Sequence, residues 1–234
     1  MKLKERSMKL SDKTLKILQN FTTINQSLAF KEGKKLRTIS VMKNVLAEAE
    51  IEEYIPKDFA IYDLPQFLNT VSLCSSPDID VSTNNSFAHI KEGTANRSKY
   101  FFSDPSVIVA PPEKEMLLPS EDVSFNLQDD QLAKALKSAS ILSLPDLSVV
   151  GGEGVVKMVV SDRKNDTSND FAVVVGRTDK TFSFNFKVET VKIPCSEPDI
   201  KSGLPNAYEV VVSKSNLTLS VASVAPSGLK DTLI

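Results

Sequence analysis

The sequence predicts an α+β protein of two similar domains, each an antiparallel sheet carrying two short helices. Three observations predict it. Fourteen short runs rich in β-branched and aromatic residues follow one another closely, separated by Gly, Asn, Asp and Pro turns. Only four segments carry helical periodicity. The elements also recur. An offset of 118 places Asp12 on Asp130, Lys16 on Lys134, Leu18 on Leu136 and Ile24 on Leu142, and an offset of 123 places residues 59–68 on 182–191.

In the first half, alternation predicts strands over 22–30, 35–40, 45–51, 58–63, 78–83, 87–91 and 98–103. The first helix begins near Ser11 or Asp12, either of which suits an N-cap. Leu10, Ile17, Leu18 and Phe21 fall on one arc of it, and Lys13, Lys16 and Asn20 on another. The second spans 64–74, with Asp63 as cap and Pro65 in the first turn, where a missing N–H costs little.

Residues 103–122 hold four prolines and read as an extended connector. The domains are therefore drawn at 1–103 and 123–234, with the connector at 104–122. Met8-Lys9-Leu10 repeats Met1-Lys2-Leu3, so residues 1–7 read as a possible extension.

In the second half, strands are expected over 123–127, 146–151, 154–162, 170–176, 181–186, 208–213 and 217–223. The third helix, 129–140, sets Asp129 and Asp130 at the positive end of its dipole, and Leu132, Leu136 and Ala139 opposite Lys134 and Lys137. The fourth, 187–193, is short and is stopped by Pro194. After residue 223 only a stub of a closing strand is expected, so that either the protein is truncated or another segment covers the sheet edge left open.

Composition narrows the function. His89 is the only histidine, which excludes a histidine-based nucleophilic triad or a multi-histidine metal site. Cys74 and Cys195 form neither a disulfide framework nor a metal spacing and read as reduced thiols. The Gly-rich stretch 151–154 lacks a following Gly-Lys-Ser/Thr and reads as a hairpin turn. Acid pairs such as Asp78/Asp80 and Asp129/Asp130 are expected by chance among 30 acids. No catalytic residue, metal ligand or cofactor motif emerges. No apolar run approaches the ~20 residues that span a bilayer.

What remains is a lysine face on helices of a chain with 28 Lys+Arg against 30 Asp+Glu, a net charge of −2. One such helix is simply the solvated side of an amphipathic element. Recurrence in both halves points further, to a basic surface that holds a phosphate backbone without reading bases.

The stretches 8–30, 58–73, 104–112, 129–140 and 181–193 resemble, in order, the DNA polymerase sliding clamps of T-even-like bacteriophages. The most specific are Asp104–Pro111 and the strand–helix Phe59–Leu68. The resemblance implies the DNA-clamp fold, with three two-domain protomers closed head-to-tail as a homotrimer around duplex DNA. It implies a non-enzymatic tether for the phage DNA polymerase, opened by an ATP-driven clamp loader. A role with late-transcription factors and a place in the cytoplasm of the infected host come with it, and no membrane. Carried over, the DNA-facing residues are Lys13, Lys16, Lys134 and Lys137, then Lys187 and Lys192 on the fourth helix. Gln66, Asn69 and Thr70 make the second helix less basic. Val107, Ile108, Val109 and Leu118 become the partner-binding residues. The residues leave a second reading open, a structural or virion β-protein assembling without DNA.

Overall fold

A computed structural model describes residues 7–81, 86–94, 96–114, 122–191, 207–213, 218–224 and 232–233. Lys192, Cys195 and Leu118 lie outside the described residues. The chain divides into two compact units, Met1–Lys114 and Glu115–Ile234.

The first unit begins with β1 (Ser7–Met8), in which Met8 is buried and Ser7 faces Asp80. Helix α1 (Asp12–Ile24) follows, and Ser11 caps it by accepting the Thr14 N–H at 3.3 Å. Residues Thr14, Leu18, Phe21 and Ile24 turn inward. The helix continues into the stretch expected to open a strand, because Thr22 and Thr23 turn their hydroxyls onto the carbonyls of Gln19 and Asn20. Only β2 (Leu28–Phe30) of that stretch is extended.

Strands β3 (Gly33–Ile39) and β4 (Leu46–Ile55) form a hairpin, and β5 (Phe59–Ile61) pairs with β2. Helix α2 (Leu64–Val71) starts at Asp63, whose carboxylate accepts the Gln66 N–H at 2.8 Å, with Pro65 in its first turn. Strands β6 (Asp78–Asp80), β7 (Phe87–Glu92) and β8 (Asn96–Phe101) complete an antiparallel sheet in the order β1-β6-β7-β8. Aromatic contacts tie these layers together. Phe30 stacks on Phe59 at 4.5 Å, meets Phe67 edge-on at 6.3 Å, and Phe67 meets Tyr100 edge-on at 5.2 Å.

The second unit opens with β9 (Val123–Gln128) and α3 (Asp129–Leu142). Gln131 folds back so that its Oε1 accepts the Gln128 N–H at 3.0 Å. Strands β10 (Asp146–Gly152) and β11 (Val155–Ser161) form the hairpin expected at the Gly-rich stretch. Its two-residue loop, Glu153-Gly154, has φ of 53° and 81°, the primed turn that matches strand twist. With β12 (Asp170–Arg177) and β13 (Phe182–Lys187) they make a sheet ordered β12-β11-β10-β13. Strands β14 (Ala207–Ser213), β15 (Thr218–Val224) and β16 (Thr232–Leu233) continue a second sheet from β9. Pairing of Leu233 with Val221 and Thr232 with Ala222 covers part of the edge that the sequence leaves open.

Among the described residues, the fourth helix is not formed as expected. Lys187 still pairs with Asp146 in the β13–β10 ladder, the Val188 N–H bonds the Pro145 carbonyl, and only a 3-10 turn, Val188–Thr190, follows. The β-branched run Val188, Thr190, Val191 favours extended backbone over a helix.

Candidate nucleic-acid interface

On α1, burial of Thr14, Leu18 and Phe21 leaves Lys13 and Lys16 exposed, three residues apart on the opposite face. The helix is held from below by Glu53 on β4. One carboxylate oxygen accepts the Ser11 N–H, and the other accepts the Thr14 hydroxyl at 2.7 Å. Burial pushes the Glu53 carboxyl up, but the bonds from Ser11 and Thr14 outweigh it and hold it below the usual range. Helix α2 packs against α1 and shows Gln66 and Asn69 to solvent, with Thr70 half-buried, so the unit's helical face is basic on α1 and neutral polar on α2.

On α3, Leu132, Ala135 and Ala139 go into the core, and Lys134 and Lys137 stay exposed. The two are not equivalent. Lys134 donates to Asp130, one turn earlier, at 2.9 Å, a bond that lowers the Asp130 carboxyl below its ordinary value. Lys187 stands at the end of β13, its ammonium bonded to the buried Asp146. Asp146 also accepts the Arg163 N–H at 3.1 Å, and the Lys187 bond is the larger reason its carboxyl is lowered. Lys187 is thus a structural ion pair on a strand.

The connector is split. Asp104 caps a 3-10 turn, Pro105–Val107, where an extended run is expected. Val107 is 59% exposed, Ile108 is buried, and Val109 is half-buried. The Asn25 amide donates to the carbonyls of Ile39 at 2.8 Å and Val109 at 3.3 Å, and Arg37 Nη1 donates to Pro112 at 2.7 Å. The connector therefore lies along β3. Just beyond β3, Val41 and Met42 sit 67% and 82% exposed in the β3–β4 turn. Sequence periodicity misses them, because two apolar residues at a turn tip form no repeating pattern; their signal is an apolar pair where turns are ordinarily polar.

The chain is 32% identical to the sliding clamp of Enterobacteria phage T4 over 184 residues, 76% of this chain and 79% of that one. It belongs to the sliding-clamp family. The clamp of Vibrio phage KVP40 is 25% identical over 83% of this chain and 89% of its own length. Residues 9–110 match the family model of the DNA polymerase processivity factor. Among solved structures, A. fulgidus PCNA bound to the C-terminal region of FEN-1 superposes with a TM-score of 0.68 at 15% identity, covering 97% of this chain and 96% of that one. PCNA from Thermococcus kodakaraensis gives 0.67 at 12% identity, covering 97% of each chain. The fold is the clamp fold, and the chain is a non-enzymatic processivity factor of the T4-like phage type. This displaces the virion reading. No helix of the described residues is long and apolar enough to cross a membrane.

Proposed function

We propose that three copies close head-to-tail around duplex DNA and tether the phage DNA polymerase. The observation that carries the reading is α1, a helix whose buried face is apolar and whose exposed face presents Lys13 and Lys16 in a chain of net charge −2. Lys134 and Lys137 supply the equivalent face of α3. Contacts of this kind neutralise phosphates and carry no sequence information, so DNA is held and still slides. Lys187 contributes weakly because Asp146 already occupies its charge, and Lys192 is retained as a candidate.

Closure is supported by two sheet edges. Strand β8 pairs only with β7, and β12 only with β11, among the described residues. Each edge lies beside a helix ending in exposed apolar residues. Tyr100 of β8 donates to the Asp63 carbonyl at the start of α2, Glu92 at the end of β7 accepts from Ser75 in the turn after that helix, and Leu73 in the same turn is 74% exposed. Gln131 of α3 bonds the Val174 carbonyl of β12, and Ile141, 70% exposed, ends that helix. Different patches facing one another generate a head-to-tail assembly.

For the polymerase, the assigned docking residues are the exposed Val107 of the connector and Val41 and Met42 of the β3–β4 turn, with Ile108 and Val109 beside Val107 in the chain, and Leu118 is retained as a candidate. Loading by an ATP-driven clamp loader, a part in late transcription with its factors, and action in the cytoplasm of the infected host complete the reading. The test is retention. With loader and ATP, the protein stays on nicked circular DNA and runs off when the circle is cut; equal retention on both forms refutes encirclement.

A further inference from the structure

We propose that the face of the β1-β6-β7-β8 sheet turned away from α2 binds single-stranded nucleic acid, independently of the lysine helices. The sheet has two faces of opposite character. Ala88 and Ile90 of β7 point inward and are buried, and Tyr100 of β8 packs on Phe67 of α2. Alternation then puts Phe87, His89 and Lys91 of β7 on the other face, with Arg97, Lys99 and Phe101 of β8. The ladder pairs them directly: Phe87 opposite Phe101, His89 opposite Lys99, and Lys91 opposite Arg97.

Two aromatic rings thus stand side by side on adjacent strands, meeting edge-on at 5.8 Å, with Phe101 63% exposed. The Lys99 ammonium hovers over both, 4.0 Å from the Phe87 centroid and 4.6 Å from that of Phe101. Arg97 lies against the buried His89 and is exposed, whereas Lys91 is paired with Asp80 at 3.3 Å. On β6 of the same face, Asp78 lies opposite Lys91 and Asp80 opposite His89. Lys99 therefore sits over the rings and Arg97 two positions further along β8, neither in an ion pair with a carboxylate among the described residues, and the acids Asp78 and Asp80 lie on β6, across β7 from β8.

Rings on neighbouring strands of an open antiparallel sheet, interleaved with cations, are the arrangement on which unpaired bases stack while their phosphates are neutralised. Duplex DNA fits poorly, because its bases are already stacked and their faces hidden. An acidic peptide would use the cations and gain little from the paired rings, so the rings favour bases. The surface suits one or two nucleotides and two phosphates.

The test is fluorescence anisotropy of labelled oligothymidylate with the full-length protein, without a loader. Wild type is expected to bind, and in a variant with Lys13, Lys16, Lys134 and Lys137 replaced the logarithmic salt slope should be about −1.4, the value for two phosphates on a single strand. Phe101→Ala should weaken it at least about tenfold and Phe101→Trp restore it, because stacking needs a ring and tolerates its identity. Lys99→Ala added to the four-lysine variant should reduce the slope to about −0.7. With Lys13, Lys16, Lys134 and Lys137 replaced together, the part of the binding that Phe101→Ala removes should persist, which separates it from encirclement. The proposal is overturned if wild type does not bind, if Phe101→Ala binds equally, or if poly-glutamate competes as well as oligothymidylate. A fall in mass on Phe101→Ala would also overturn it, by assigning that ring to the seam between copies.

Discussion

Glu53 does for α1 what the helix cannot do alone. The first amides of a helix have no internal acceptors, and here one of them, with the Thr14 hydroxyl, finds a carboxylate on a neighbouring strand. Glu53→Ala should cost about 1 kcal/mol, the scale of losing a helix cap, read by urea unfolding. The sign of its pH dependence follows from a carboxyl lowered on folding. Its stabilisation is full above the unfolded glutamate value of about 4.3 and is lost as pH falls through the lower folded value. Glu53→Gln should therefore flatten the stability profile below about pH 4. Gly151 tests packing in the other unit. A Cβ there would lie 2.3 Å from the Phe182 ring, whereas one on Gly152 would meet nothing within 4 Å. Gly151→Ala should cost about 1–3 kcal/mol by overpacking, and Gly152→Ala well under that, in thermal melts of the two variants. Neither Glu53 nor the Gly151–Phe182 contact is legible in sequence, since each joins residues more than 30 positions apart through one side chain.

At the level of elements, the lysine helices are legible because burial and exposure both follow the helical repeat. Thr14 and Phe21 of α1 are buried, and so are Leu132 and Ala139, their partners under the 118-residue offset. The ends of elements are less legible. Thr22 and Thr23 read as strand from their branching, yet local hydroxyl bonds keep them helical. The segment after Lys187 reads as helix from the repeat, yet the β10 ladder and a branched run limit it to one tight turn. The two lysine faces also differ in a way that only side-chain geometry reveals, because Asp130 holds Lys134 and, in the proposed role, would compete with phosphate for it. Asp130→Asn should accordingly strengthen DNA association and steepen its salt slope toward one additional phosphate, about 0.9. Lys134→Ala should do the reverse. Association measured over 50–200 mM salt decides it; an unchanged slope in Asp130→Asn would show that Lys134 does not face DNA.

For the whole molecule, the proposed head-to-tail ring requires copies to meet through unlike surfaces, and this has a consequence that an isologous dimer lacks. In the proposed ring, the seam would join the β8–Leu73 side of one copy to the β12–Ile141 side of the next. A charge placed in the apolar part of either side must be desolvated without a partner, which is costly enough to open the seam. Leu73→Glu should therefore be monomeric in solution, and so should Ile141→Glu, with circular dichroism unchanged because both side chains are exposed. Mixing the two variants then distinguishes the geometries. Each carries one intact side, and the intact β12 side of Leu73→Glu can still receive the intact β8 side of Ile141→Glu. The seam that would extend such a pair brings two glutamates together and stays open. The mixture should form one-to-one dimers and no larger ring, as read by sedimentation or native mass. Trimers in the mixture, or dimers of either variant alone, would mean that the contact is not head-to-tail through these two faces.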